Sequence, residues 1–433
     1  MKIPELLSPA GDLEKAYYAF KYGADAIYCG LPFFSLRTRM NFFTEKDLTE
    51  IIPFAHKNNK KVYVTVNVFP HEEMLPLIKK HLKFLKEIKP DAVIVADLGV
   101  LSLANQILPN IEKHLSVQTT TLNTSSIKFW QKNGVSRIIL AREIALNEIK
   151  KIHEVIPEIE LEYFVHGSIC MAYSGRCLIS NFLASRDANQ GDCAHSCRWN
   201  YRIYDENGYE LIKNKNQNLE KKINIHTLEK KKYWEEELRK DEFIPVEEDF
   251  AGTHIMSSRD LCLIEHLKEI SAGGICSVKI EGRNKTLYYL SVITRAYREA
   301  LNDLEAGRNF QKILWKEINS VANRGFFTGF LKGQPSFQAQ QYEENKTESD
   351  YDFVGIVQGW DSGRIKFEVK NRIDEGDLIE FIFPEMSQDF AVTAENLEKD
   401  GESVLALHGG NGSGSIDCEK KVDVGVLMRK KVK

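Results

Sequence analysis

The sequence predicts a closed (β/α)8 TIM-like barrel, with an insertion between its seventh and eighth strands and a small C-terminal β-barrel domain behind it. Three observations lead there. Short β-branched runs alternate with amphipathic helical stretches from the first residues to about residue 306. A polar stretch, 338–350, then breaks the alternation. Beyond it, apolar residues recur with period two between Gly and Asp turns.

Taken in order, the expected barrel strands are Glu5 to Leu7, Ala24 to Tyr28, Val62 to Val68, Ala92 to Ala96, Leu115 to Gln118, Arg137 to Leu140 and Leu161 to Val165, with Ile275 to Ile280 as the eighth. Eight parallel strands favour a closed ring over a doubly wound open sheet, which would leave two edges to protect. Glu45 to Lys57 carries Leu48, Ile51, Ile52 and Ala55 on one helical face, and Met74 to Ile88 carries Leu75, Ile78, Leu82 and Leu85. Those faces belong to the core. Between about 204 and 250 the chain turns to Lys, Glu and Asn, which reads as a solvated insertion. Leu287 to Ala306 is a long helix that closes the barrel. The domains are therefore 1–337, a linker at 338–350, and 351–433. In the last of these, Phe353 to Val357, Ile365 to Val369, Leu378 to Phe383, Val404 to Leu407 and Val422 to Leu427 alternate as strands, and Arg429-Lys430-Lys431 reads as a charged, solvated tail able to touch phosphate.

Hydrophobic residues make up 43% of the chain and charged residues 28%, enough apolar material for a large core. A net charge of -4 and a pI near 6.3 do not mark a nucleic-acid binder, so any RNA contact must be a local patch. No signal-peptide pattern opens the chain and no apolar run reaches about 18 residues, so a cytoplasmic protein without a membrane span is expected.

Four of the eight cysteines crowd one stretch just past the seventh strand, the end of a barrel that carries chemistry. Cys170, Cys177, Cys193 and Cys197 are separated by six, fifteen and three residues. Four thiolates suit tetrahedral zinc or an iron–sulfur cluster, both of which take soft anionic ligands. The paired C-x-x-C knuckles of structural zinc are absent, and the spacing favours a loop wrapped round an iron–sulfur cluster; zinc and unliganded thiols stay as alternatives. Cys29, Cys262, Cys276 and Cys418 are scattered and read as packing residues.

The stretch Glu162 to Ser180, through Glu162, Phe164, Gly167, Ser168, Cys170, Gly175, Cys177 and Ser180, resembles the signature of the collagenase-like peptidases, peptidase family U32. Leu7 to Gly11, Gly23 to Ala26, Gly252 to His254, Lys279 to Arg283 and Arg324-Gly325 look like further landmarks, so the resemblance covers nearly the whole chain. It is closest to the branch that forms 5-hydroxyuridine in tRNA. That likeness implies a 4Fe-4S cluster on the four cysteines, oxygen insertion at the wobble uridine, tRNA as partner, and a link to prephenate, a small dicarboxylate. Segment 204–250 is the least family-like part.

Under this reading the polar residues at strand ends project into the site. His166, Arg142 and Glu143 are the catalytic candidates, and Asn67, Asp97, Gln118, Arg176, Lys279, Glu281 and Arg283 the substrate-binding ones. Arg142, Lys279 and Arg283 can clamp a dicarboxylate or an RNA phosphate, or simply pair with Glu143 and Glu281. His166 can donate a proton, neighbour the cluster, or serve structure alone. Arg37, Arg39, Arg176, Arg198, Trp199 and Tyr201 offer basic and aromatic contacts for RNA. The rival classes are a peptidase, with Cys170 or Ser168 as nucleophile and His166 as base, and a non-catalytic RNA-binding factor with a structural cluster. Neither G-x-S-x-G nor H-E-x-x-H is present.

Overall fold

The computed structural model describes residues 2–36, 42–169, 173, 180, 193–194, 259–333, 349–410 and 412–432, with the backbone of a few short strands between 232 and 253. The proposed linker and most of the 204–250 insertion lie outside the described residues.

Eight strands form the barrel: β1 (Glu5–Pro9), β2 (Ala26–Cys29), β3 (Lys61–Val66), β4 (Ala92–Val95), β5 (Glu112–Leu115), β6 (Arg137–Ile139), β7 (Glu160–Ser168) and β8 (Ile275–Ile280). Each pairs in parallel with the next, and β8 pairs with both β7 and β1, which closes the ring. Such strands are covered on both faces, so β4 is buried along its whole length and reads as an unbroken apolar run. The helices pack outside. Their starts are written in side chains: Asp12 caps α1 (Leu13–Lys21), Thr44 caps α2 (Glu45–Lys57), Asp97 caps α4 (Leu98–Ile107), and Thr286 caps α8 (Leu287–Glu305), each accepting an otherwise unpaired N–H of the first turn. Between α2 and α4 lies α3 (Leu75–Ile88); α5 (Thr124–Lys132), α6 (Leu146–Val155) and α7 (Leu267–Ala272) complete the ring before α8. Among the described residues no helix is long and apolar enough to cross a membrane.

Strand five is displaced from its expected place. It runs over Glu112–Leu115, and Val117–Thr119 forms a 3-10 turn. Polar residues disguised it: Lys113 curls back so that its Nζ donates to the Leu108 carbonyl at 2.6 Å, satisfying the end of α4, while His114 meets Tyr63 edge-on at 4.7 Å.

His81 on α3 is 2% exposed, and neither ring nitrogen has a hydrogen-bond partner among the described residues. Burial lowers its pKa to about 4. The unfolded imidazole takes its proton near 6.5, so this contribution to stability is complete above that pH and is lost as pH falls towards 4. Replacing His81 with Phe is expected to raise stability by about 1 kcal/mol at neutral pH and to flatten the loss between pH 6.5 and 4. Urea denaturation at pH 7 and pH 5 checks both; a destabilised variant overturns the account.

The C-terminal residues form an antiparallel sheet with its own core, which includes Val354, Phe367, Phe381 and Met428. Its main strands are β9 (Tyr351–Asp361), β10 (Arg364–Val369), β11 (Leu378–Ile382), β12 (Phe390–Thr393), β13 (Ser413–Asp417) and β14 (Leu427–Lys431). Two expected strands differ. Val404 to Leu407 is broken between two short pairings, Glu402–Ser403 and Ala406–Leu407, with Leu405 82% exposed. The Val422 strand begins only at Leu427, because Gly425, at φ 78°, turns the chain first. The charged tail is therefore β14 itself. Arg429 is 1% exposed, and its guanidinium donates to Glu317 of α9 (Leu314–Asn319) at 2.9 Å and to Glu380 of β11 at 2.9 Å. Arg295 of α8 pairs with the same Glu317 and with Asp389. This ionic cluster, with Tyr22 donating to the Ile382 carbonyl at 2.7 Å, seats the sheet on the outside of the barrel.

Candidate functional site at the barrel mouth

Parallel strands all point one way, so the residues at their C-terminal ends meet around one mouth. The floor of the mouth is a stack of cations and rings. Arg142, after β6, lies 3.9 Å from the Phe164 ring centre; Lys279 of β8 lies 5.4 Å from that ring and 4.1 Å from Tyr28; Arg283 lies 5.6 Å from Tyr28. Each cation rests on a π face, an arrangement that gains strength where water is excluded. Charge is also balanced. Arg142 donates to Glu281 at 3.2 Å, and Lys279 to the fully buried Glu162 at 2.8 Å. Burial lowers the Lys279 pKa despite the opposing pull of Glu162.

Three further groups set the loops. Arg283 donates to Ser35, to Thr65 at 3.2 Å and to the Leu36 carbonyl at 2.6 Å. Asn67 donates to Gln118 Oε1 at 2.8 Å, and Ser116 donates to the same oxygen at 2.9 Å. Those bonds fix the Gln118 amide so that its Nε2, without a partner among the described residues, is left to donate elsewhere. Gly167 has φ 106°, and a Cβ there would stand 2.6 Å from the Glu281 carbonyl oxygen, so only glycine lets the end of β7 approach β8 this closely.

The structure brings Asn67, Gln118, Arg142, Glu281 and Arg283 together at the mouth, and sets others apart. Asp97 caps its own helix, its Oδ1 accepting from Val100 N–H at 2.9 Å at the start of α4. Lys279 lies beneath the mouth, committed to Glu162 and two rings. Glu143 is half-buried. His166 is 1% exposed and enclosed by Tyr289, Tyr297 and Phe326. Tyr297 gives its hydroxyl proton to the Val165 carbonyl at 2.7 Å, so His166 Nδ1, 3.3 Å from that hydroxyl, acts as donor and the proton of the neutral ring resides on Nδ1. Burial lowers the His166 pKa to about 3, which favours the neutral ring near neutral pH.

Sequence reasoning did not place Tyr28 and Thr65, which read as plain core, or Glu162 and Phe164, singled out only for the family resemblance, in this floor. Alternation held the signal: Glu162 and Phe164 share one face of β7, and the first is charged.

Of the cysteine set the structure describes Cys193, half-buried; Cys170, Cys177 and Cys197, with Arg176, Arg37, Arg39, Arg198, Trp199 and Tyr201, lie outside the described residues. One bond bears on the set. Ala194 N–H donates to Ser180 Oγ at 2.8 Å, so the chain three residues beyond Cys177 lies against the chain one residue beyond Cys193. Soft thiolate donors drawn from segments tied in this way fit a metal–sulfur group.

The model of peptidase family U32 matches residues 11–341, and that of the U32 C-terminal domain matches residues 349–429. The chain is 40% identical over 420 residues to tRNA hydroxylation protein P of Haemophilus influenzae, covering 94% of this chain and 91% of that protein. It is 40% identical over 421 residues to the protein of the same name from Escherichia coli, covering 94% and 92%. To the 23S rRNA 5-hydroxycytidine synthase of Escherichia coli it is 34% identical over 298 residues, 69% of this chain and 39% of that one.

Proposed function

This chain belongs to peptidase family U32, and on that premise we propose that it is a tRNA-modifying enzyme that forms 5-hydroxyuridine at the wobble position. The observation that carries the reading is the likeness, over nearly the whole chain, to proteins named for tRNA hydroxylation. The rRNA relative, named for hydroxylation of another pyrimidine, supports the same class of reaction.

In this reading Cys170, Cys177, Cys193 and Cys197 hold a 4Fe-4S cluster, which supplies the electron transfer that oxygen insertion needs. The chain's own residues bind and orient. A uridine must leave its stack to be reached at C5, and the mouth offers it a flat cationic floor in Arg142 and Arg283 with the Gln118 amide as a fixed donor for a carbonyl oxygen. Arg142 and Arg283 also suit the carboxylates of prephenate as a co-substrate. The neutral His166 helps to hold the end of β7 in place through Tyr297.

Loss of the gene is expected to remove 5-hydroxyuridine derivatives from tRNA, read by mass spectrometry of nucleosides; unchanged modification ends the assignment. Replacing Cys193 with Ser is expected to abolish activity and bleach the broad absorbance near roughly 400 nm of anaerobically purified protein. A colourless wild-type protein that holds zinc would end the redox reading. The peptidase alternative needs His166 as a base, and an imidazole with a pKa of about 3 is a poor one.

A further inference from the structure

The loop after β2 carries a feature that the hydroxylation reading leaves unused. Two Phe-Phe pairs bracket it, Phe33-Phe34 and Phe42-Phe43, and each pair divides into an anchor and an exposed ring. Phe34 stacks on His81 at 4.3 Å with the planes 6° apart, on a 3-10 turn begun by Pro32. Phe43 is 1% exposed, and the Phe42 N–H donates to the Gly11 carbonyl at 2.8 Å. Their neighbours Phe33 and Phe42 are 76% and 63% exposed.

Single exposed apolar residues are ordinary; two phenyl rings at opposite ends of one loop, each beside an anchored neighbour, half-buried Phe34 and buried Phe43, on the face that carries the chemistry, are not a random scatter. Arg283 fastens the same loop through Ser35 and Leu36, so the loop ends are set before a ligand arrives and little ordering entropy is lost on binding. Charge contributes little here, since Arg142 and Lys279 already face Glu281 and Glu162. A preset phenyl face recognises another flat π system, and base stacking is indifferent to base identity.

We propose that Phe33 and Phe42 are stacking platforms for the unpaired anticodon-loop nucleobases of tRNA that flank the base entering the barrel mouth. The inference rests on the tRNA reading above. Its test is fluorescence anisotropy of the full-length chain with a synthetic anticodon stem-loop RNA and, as control, an RNA duplex of equal length. Phe33→Ser and Phe42→Ser are each expected to weaken stem-loop binding about tenfold and to leave duplex binding and the melting temperature unchanged. Phe33→Trp is expected to bind within about threefold of the unaltered chain. Stem-loop binding unchanged in both Ser variants overturns the proposal alone. A wild-type chain that binds no stem-loop overturns the tRNA reading together with it. A wild-type dimer that Phe33→Ser converts to a monomer, seen by light scattering, overturns the proposal in favour of contact with a second copy.

Discussion

Replacing Glu317 with Ala is expected to destabilise the protein by about 3–5 kcal/mol, because it removes the most buried partner of two buried guanidinium groups. Arg295 and Arg429 are each 1% exposed and both point at this carboxylate, which is itself 2% exposed. Arg295 retains Asp389 and Arg429 retains Glu380, but both of those partners are more exposed. The cost therefore comes mainly from the weaker charge compensation of two buried guanidinium groups that each lose their most buried carboxylate. Changing Arg295, Glu317 and Arg429 together to apolar residues of like volume is expected to cost far less, since the desolvation of all three ions disappears with them. The two arginines hold the Glu317 carboxyl below its ordinary pKa against the effect of burial. Its contribution is then present above about pH 4.5 and is lost as pH falls through the lower folded value. Urea denaturation of the single and triple variants decides the matter; a single variant that melts with the wild type overturns it. Because this cluster joins α8 and α9 to β11 and β14, proteolysis should also release the C-terminal sheet faster from the single variant than from wild type.

Glu162→Ala is the second large effect, again about 3–5 kcal/mol, and its cause lies inside the barrel. Glu162 is fully buried between Arg137, at 3.3 Å, and Lys279, at 2.8 Å. Arg137 would keep Glu5 and Glu160, at 2.8 and 2.7 Å. Among the described residues Lys279 would keep the faces of Tyr28 and Phe164 and the more distant charge of Glu281. Its pKa, already lowered by burial, would fall further without the carboxylate that opposes that shift. A base whose folded pKa lies below its unfolded one gains stability as pH rises, so the deficit should narrow between pH 7 and about 10. Glu162→Gln should lose less, because the amide oxygen still accepts from Lys279. A deficit that stays constant with pH would show that lost packing, and not the stranded Lys279, is responsible.

Much of this architecture was legible in the chain. All the barrel strands but β5 are legible from short apolar or β-branched runs, although β6, β7 and β8 also bury Arg137, Glu162 and Lys279. β5 hid because its polar residues are buried: Lys113 by a bond to the nearby Leu108 carbonyl, and His114 against the Tyr63 ring, which lies far away in sequence. Asp97 shows a second ambiguity: a carboxylate at a strand end is also the residue before a helix, and its role as the cap of α4 is not separable from a site role by sequence. At the mouth, Asn67 and Gln118 were readable as strand-end polar groups, but the bond between them, across 51 positions of sequence, was not.

The sequence by itself determined the alternation of strand and helix, the four-cysteine stretch and the family, because each is written in local spacing and residue type. Only the tertiary structure decided which polar and charged groups pair with one another. Glu162 with Lys279, Arg429 with Glu317, and His166 with Tyr297 are pairs separated by more than a hundred residues, and burial gives each pair an energy that its members lack in water. Periodicity records which face of an element is covered; it holds no record of what covers it.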